Sequence, residues 1–484
     1  MPIQPMDAPA PAETLRPLCV DLDGTLVKSD TLHDSLLVLM RTRPARLLAL
    51  PAKVLEGRAA FKAAVTECVS LDVAHLPYNR KLLQYLQAER AKGREIYLAT
   101  GADARLATRV ADHVGIFSGV LGSDGAVNLT GNNKLKLLRD KFGERGFDYV
   151  GNDTPDLVLL AASKEPMIAN ATPRLRQRMR ARGLQAAHAF DERPHPLRSL
   201  LTAIRVHQWA KNALIFLPLL LSHSLSLPKI LTAMLAFACF SVTASATYIV
   251  NDLLDIEADR RHTRKQSRPF AAGDLSAAQG LALVVLFLTL ALAGVRLLPA
   301  AFYGWILVYL VTTFAYTAYL KRVPLVDVLV LSGLYTLRLL AGAAATGSTI
   351  SHWLAGFSVF LFLSLAIVKR FAELQNLRSS GSQPRNGRGY LVADIEQLRS
   401  FGTSSAGAAV VVFAIYISNS DVTSLYRKPG LLWLVAPFMI LWLYRVWLLA
   451  SRGQLSDDPV VFAITDRMSL VIGAIITVIV LLAI

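Results

Sequence analysis

Cysteine is nearly absent: Cys19, Cys68 and Cys239 stand isolated among 484 residues. Three scattered thiols exclude a disulfide framework and give no metal-ligand spacing, so they read as free, buried groups of a reducing compartment. Acidic residues are also scarce beside basic ones, 35 against 51, for a formal charge of +16. On a soluble chain that excess would suggest nucleic acid. Here Lys and Arg gather at the ends of apolar runs, where they orient a chain in a membrane, so no nucleic-acid partner is expected. The first residues lack an apolar signal segment, so the N-terminal part is expected to stay in the cytoplasm. Long apolar runs are missing from residues 1–190 and dominate from about residue 198.

Length and this change of composition indicate two domains joined by a linker. Residues 1–190 form a soluble domain, residues 191–200, with Pro194 and Pro196, the linker, and residues 201–484 the membrane domain. Hydropathy predicts nine spans near 211–223, 229–250, 277–297, 299–319, 324–346, 353–372, 401–418, 430–449 and 467–484. Most have roughly the 17–25 residues that cross the hydrocarbon layer, and they are helices because lipid cannot satisfy a free backbone. Basic loops carrying Arg260, Arg261, Arg264, Lys265 and Arg268, then Lys321 and Arg322, then Lys369, Arg370, Arg378, Arg385, Arg388 and Arg399, alternate with loops poor in cations, which hold mainly Arg427 and Lys428. The bias places them, and the N-terminal domain, on the cytoplasmic side of the inner (plasma) membrane.

At the end of the second span the sequence reads Asn251-Asp252-x-x-Asp255-x-x-x-Asp259-Arg260, then Lys265 and Arg268-Pro269-x-x-x-Gly273. If the span continues as a helix, Asp252 and Asp259 are nearly in register and Asp255 lies between them. Three carboxylates on one face repel one another unless a hard cation joins them, and Mg²⁺ bridges carboxylates to substrate phosphates. Neighbouring Arg and Lys would grip the remaining phosphate oxygens. The plainer reading is a solvated loop whose acids and bases pair with each other. A second polar cluster holds Lys321, Arg322 and Asp327, with Arg338 eleven residues on and so on the same helical face. Arg338 would lie roughly 16 Å deeper. In lipid it would cost at least ~2.5 kcal/mol, so it should point into the bundle, either toward a ligand or onto helix carbonyls.

The aspartate pattern followed by Arg-Pro-x-x-x-Gly resembles the first aspartate motif of the UbiA superfamily of intramembrane prenyltransferases, and the nine-helix count is similar. The usual second pair of spaced aspartates is reduced here to Asp327. Arg205-x-His207-Gln208-Trp209-x-Lys211-Asn212, His262, Lys369-Arg370-x-x-Glu373 and Arg388-Gly389-Tyr390 resemble one branch, the polyprenyl-phosphate (decaprenyl-phosphate) phosphoribosyltransferases; Thr263 departs from that branch's usual Pro. The resemblance implies Mg²⁺-dependent transfer of 5-phosphoribose from phosphoribosyl pyrophosphate to polyprenyl phosphate. It implies Asp252, Asp255 and Asp259 as metal-diphosphate ligands. Asn251, Arg260, Lys265, Arg268 and Lys211 become phosphate-binding candidates, with Lys321, Asp327, Arg338, Lys369 and Arg370 as further substrate-binding candidates. A conventional prenyltransferase joining prenyl diphosphate to an aromatic or quinone-precursor ring shares fold and motif. A scaffold or transporter is the non-enzymatic alternative.

In the soluble part, an apolar run ends in Asp21-x-Asp23-Gly24-Thr25, a second ends in Thr100-Gly101, Lys134 follows a Gly-Asn-Asn turn, and a third run leads to Gly151-Asn152-Asp153-x-x-Asp156. Alternation with helical stretches predicts a parallel α/β sheet with ligands at the carboxyl ends of the strands. The order resembles the haloacid dehalogenase (HAD) superfamily of phosphatases. It implies a Rossmannoid domain with a small helical cap over 32–90, Asp21 as nucleophile, Asp23 as general acid/base, and Thr100 and Lys134 steadying the phosphoryl group. Asp21 and Asp23, with Asp153 or Asp156, become Mg²⁺ ligands, although Asn152 stands where the first acidic ligand is usual. Arg174, Arg176, Arg178, Arg180 and Arg182 form a basic strand face or a basic helix, able to rest on anionic lipid at about 1 kcal/mol per charge or simply solvated.

Overall fold

The apolar triplet Leu18–Val20 forms β1, and five further strands join it: β2 (Ile96–Asp103), β3 (Gly119–Ser123), β4 (Asp148–Gly151), β5 (Pro166–Ala169) and β6 (His188–Phe190). Every pairing is parallel, in the order β3-β2-β1-β4-β5-β6. Alternation along β1 explains its burial on both faces. Leu18 and Val20 enter one core with Ile96, Leu98 and Val150, while Cys19 enters the other with Ala99 and Tyr149. The order reverses beside β1, so the crevice lies at the carboxyl ends of β1, β2 and β4.

The computed structural model describes residues 15–379, 388–455 and 459–484, and Arg385 of the third basic loop lies outside them. The chain divides into two compact units, Met1–Ile204 with Ile249–Ala282, and Arg205–Tyr248 with Leu283–Ile484. The aspartate segment therefore clusters with the sheet domain. Between β1 and β2 run the helices of the expected cap, chiefly Thr31–Thr42, Arg58–Cys68 and Arg80–Ala91. Asp30 starts the first by accepting the Leu32 and His33 amides. The arginine-rich stretch is a helix, Pro173–Ala181, capped by Thr172 and anchored by buried Leu175 and Met179 one turn apart. Of the linker residues, Asp191 pairs with Arg176 at 2.6 Å and Glu192 accepts the Arg80 and Lys81 amides, and a helix begins at Pro196.

Seven helices among the described residues are long and apolar enough to span a membrane: Leu227–Leu254, Ala277–Val295, Ala300–Ala318, Val326–Thr346, His352–Ser379, Val392–Ser418 and Pro429–Ser451. They match seven of the nine expected spans. The last of the nine is the apolar helix Arg467–Ala483, 17 residues long. The first folds as two shorter pieces, the 3₁₀ stretch Val206–Phe216 and the helix Leu217–Leu221. Its polar residues explain the break from a simple span: buried Asn212 donates to Ser241 at 3.0 Å and accepts from Arg338 at 2.8 Å, so this stretch faces protein.

Helix contact relies on small residues. Gly402 lies under Trp447 and Ile367, where an added Cβ would collide with the indole. Its carbonyl accepts from Ser364 at 2.8 Å, and Ser364 in turn accepts the Trp447 indole N–H at 3.1 Å. Gly402→Val should therefore cost about 1–3 kcal/mol by overpacking. The expected outcome is a melting temperature several degrees lower for the detergent-solubilised protein, measured by intrinsic fluorescence.

Candidate active sites

The helix Leu227–Leu254 stops at Asp255, whose φ of −96° and ψ of 11° leave the helical region, and resumes as Ile256–Arg261. The break is slight, because the Asp255 amide still reaches Asn251 O at 2.9 Å and the Asp259 amide reaches Asp255 O at 2.8 Å. Asp252 and Asp259 thus stay on one face and converge on a single nitrogen, Arg268 Nη1, at 3.0 and 2.6 Å. Both carboxylates are nearly fully buried, at 2 and 4% exposure, and Arg268 is at 27%. Burial raises the Asp259 carboxyl above its usual range, and Arg268 opposes the rise. Asp255, the third member of the expected set, turns instead to Arg41 at 3.4 Å. Its non-helical backbone accounts for the turn.

No group of three His, Cys, Asp or Glu side chains among the described residues is arranged to hold an ion alone. Two carboxylates drawn around one cation nevertheless fit Mg²⁺, which binds by one or two protein carboxylates and completes its shell with water and substrate phosphate. The Arg268 guanidinium occupies the position of that positive charge. Asn251 lies one residue before Asp252, and Lys265 opens the 3₁₀ turn Lys265–Ser267. Arg260 is placed differently. Its Nη1 meets Asp34 at 2.8 Å, its Nη2 donates to Ser29 Oγ at 3.1 Å and its Nε to Ala271 O at 3.1 Å.

In the second unit, fully buried Asp327 accepts from Arg370 Nε at 2.6 Å and from the Tyr390 hydroxyl. Arg370 also reaches Glu373 at 2.6 Å and the Tyr316 hydroxyl at 3.3 Å, and Arg388 donates to that same hydroxyl at 2.9 Å. The lone acid of the expected second cluster thus answers a buried arginine. Arg338 points into the bundle, as its cost in lipid requires. It bonds Asn212 and the Leu334 carbonyl and lies over the rings of Phe240, Tyr309 and Tyr335 at 5.4–5.5 Å. Asp327 and Arg338, expected on one face, take separate partners. Lys211 sits 5.7 Å above the Tyr335 ring. Lys321 belongs to the turn Leu320–Arg322, and Lys369 is partly buried beside Arg370.

At the sheet, Asp21 follows β1 and accepts from Lys134 Nζ at 2.7 Å. Lys134 also donates to the Tyr149 hydroxyl at 2.9 Å, and Tyr149 donates to Asp156 at 2.9 Å. Asp156 accepts the Asn152 and Asp153 amides at 3.0 and 3.2 Å, so it shapes the turn after β4. Asp153 turns to Thr172 at 3.0 Å. The Asn152 amide abuts Gly24, whose φ of +75° and lack of a side chain let the two loops close. Thr100 is buried at the end of the crevice, where its hydroxyl accepts the Ala102 amide at 3.0 Å. Asp23 accepts the Thr31 amide at 2.7 Å. Burial raises both acids, partly against Lys134 for Asp21, to about 6, and with Asp30 adding for Asp23, to about 7. A carboxyl near 7 is poised to give and take a proton at neutral pH. Sequence reasoning missed Tyr149, Asp34 and Arg41. Tyr149 was legible only as a strand residue alternating with Val150, and the other two are ordinary charges on an amphipathic helix.

A polytopic bundle with paired carboxylates at a helix end, joined in one chain to a parallel α/β domain, defines a membrane-embedded transferase. The sequence model of the UbiA prenyltransferase family matches residues 213–471, and the chain belongs to that family. A protein of Sinorhizobium fredii called uncharacterized protein y4nM is 38% identical over 95% of this chain and 89% of its own length. The decaprenyl-phosphate phosphoribosyltransferase of Mycobacterium tuberculosis is 31% identical over 56% of this chain and 88% of its own length. Among solved structures, a UbiA homolog from Archaeoglobus fulgidus bound to GPP and Mg²⁺ covers 58% of this chain and 99% of its own, at 16% identity and a TM-score of 0.44.

Removing Arg268 would take from buried Asp252 and Asp259 the guanidinium they share, a loss of about 3–5 kcal/mol for a broken buried pair. Arg268→Ala should therefore melt lower than the parent without divalent ions and regain stability when Mg²⁺ is added. A Mg²⁺-induced thermal shift no larger than that of the parent would show that no cation takes the vacated place.

Proposed function

We propose that the membrane domain transfers 5-phosphoribose from phosphoribosyl pyrophosphate to polyprenyl phosphate at the cytoplasmic face of the inner membrane. The observation that carries this reading is the convergence of Asp252 and Asp259 on one positive charge at a helix end. Similarity to the mycobacterial decaprenyl-phosphate phosphoribosyltransferase supports the choice of donor and acceptor. Mg²⁺ held by these carboxylates would supply charge stabilisation to the departing diphosphate. Arg268, released from the carboxylates, and Lys265 would hold phosphate oxygens. A lipid phosphate oxygen attacks the anomeric carbon as the carbon–diphosphate bond breaks. The acceptor is already anionic, so no general base is needed.

We infer a second activity in the HAD-like domain: removal of the 5-phosphate from the transferase product. The Asp21 carboxylate attacks phosphorus, and Asp23 gives its proton to the departing ribose oxygen. Water then attacks the aspartyl-phosphate while Asp23 takes up a proton, leaving inorganic phosphate and the ribosyl lipid. Lys134, held between Asp21 and Tyr149, orients the nucleophile and would balance the phosphoryl charge. The basic helix Pro173–Ala181 would favour residence at an anionic membrane. Fusing the domains raises the local concentration of the intermediate.

Two assays test these readings. Purified protein with radiolabelled phosphoribosyl pyrophosphate and polyprenyl phosphate should form a labelled lipid, and Asp252→Asn should slow this more than about a hundredfold, the loss of several kcal/mol of leaving-group stabilisation. Incorporation from prenyl diphosphate into an aromatic acceptor instead would establish conventional prenyl transfer. Asp21→Asn should abolish phosphate release and leave phosphoribosyl transfer intact, so that the 5-phosphorylated lipid accumulates on thin-layer chromatography; release continuing in this variant would refute the phosphatase assignment.

A further inference from the structure

The loop after the phosphatase nucleophile and the transferase aspartate segment meet through buried charge. Arg260 Nη1 lies 2.8 Å from Asp34 in the first turn of the helix Thr31–Thr42, with each side chain at 3% exposure. Arg260 Nη2 donates to Ser29 Oγ, which itself donates to Asp34 at 2.7 Å. This triangle clamps residues 29–34. The same loop positions the general acid: the Thr31 amide donates to Asp23, and the Gly24 amide donates to Ser29 O at 3.2 Å. On the other side, Arg260 adjoins Asp259 in sequence, and its Nε fixes Ala271 O beside Gly273. Gly273, at φ +73°, lies so close to Lys28 and Ser29 that a Cβ would overlap them. Flanking contacts extend the seam: Lys28 to Asp274 at 3.5 Å, Arg261 to Asp72 at 2.6 Å, the Asp72 amide to Glu257 at 3.0 Å, and Arg41 to Asp255.

A buried guanidinium with two nitrogens hydrogen-bonded inside protein and the third held in an ion pair with Asp34 is poorly placed to bind substrate phosphate. Removing it would leave Asp34 buried without its cation. We propose that Arg260 is a positioning residue that ties the phosphatase loop 24–34 to the transferase aspartate segment, so that diphosphate held at Asp252 and Asp259 changes the setting of Asp23. The inference rests on the reading of that segment as a diphosphate site. Its logic is a chain of discrete contacts. Diphosphate with its cation displaces Arg268 from Asp252 and Asp259, the turn carrying Asp259 readjusts, and Arg260 transmits the readjustment to Ser29 and Asp34. Coupling of this kind is reciprocal: whatever loop 24–34 gains when diphosphate binds, diphosphate affinity gains when the loop is set. In a two-step enzyme it would let the phosphatase respond to whether the transferase still holds donor or leaving group.

The test uses full-length protein in detergent micelles with magnesium and inorganic pyrophosphate as probe, and reads amide hydrogen exchange over residues 24–34 by mass spectrometry. Binding is followed separately by calorimetry. In the parent protein, pyrophosphate should change exchange in this loop by about fivefold or more, the lower end of ordinary coupling. Arg260→Met should bind the probe yet show no change, and Arg260→Lys, which keeps the charge on Asp34, should recover part of it. If Arg260→Met fails to fold, Asp34→Asn, which breaks the same pair from the other side, must give the same silence. A merely structural arginine would alter the resting exchange but leave the response to pyrophosphate in place, and that result overturns the proposal. A response that persists in an Asp252→Asn, Asp259→Asn double variant also overturns it, because the probe then acts directly in the phosphatase crevice. Absence of binding to the parent refutes the diphosphate reading, and this inference with it. Binding with a silent loop refutes the inference alone.

Discussion

Charge taken out of water must find a partner, and this constraint organises both ends of the molecule's chemistry. Asp252 and Asp259 cannot stay buried together as bare anions, and Arg268 makes the arrangement tolerable. Asp21 is likewise kept in the crevice by Lys134, and Asp327 within the bundle by Arg370. In each case the cation is a side chain of the same chain, so the geometry that stabilises the resting protein is set by where protein charge meets protein charge.

The three pairs differ in what they leave available. Arg268 is the most exposed of the three cations and serves two carboxylates through one nitrogen, which suits a site whose cation can be replaced. Arg370 is enclosed by Asp327, Glu373 and Tyr316, with Tyr390 closing the far side of Asp327, which suits permanent architecture. Lys134 lies between these extremes, held by Tyr149 while its ammonium stays on Asp21.

Much of this was legible in the sequence because the signals are periodic or local. Seven of the spans follow from hydropathy alone, and the parallel sheet follows from short apolar runs that end in Asp21, Thr100 and Gly151. The Asp252 and Asp259 pairing follows from seven-residue spacing on a helix. What the sequence concealed depends on small backbone events or distant partners. Asp255 left the shared face because the helix yields at that residue. The stretch 206–221 looked like a span by average hydropathy, but Asn212 has buried partners on two other helices. Arg260 was indistinguishable from its basic neighbours, since nothing near it in the chain identifies Asp34, more than two hundred residues away, as its counter-ion.

Gly273 gives the Arg-Pro-x-x-x-Gly stretch a meaning beyond phosphate chemistry. Its bare backbone is the surface on which Lys28 and Ser29 rest, and its neighbours carry the Asp274 carboxylate and the Ala271 carbonyl that complete the seam. The covalent boundary near residue 200 is therefore not the physical boundary. A chain severed there would not yield two self-sufficient proteins: the membrane fragment would carry a bare cationic plug at Arg260, and the N-terminal fragment would open a matching anionic socket at Asp34.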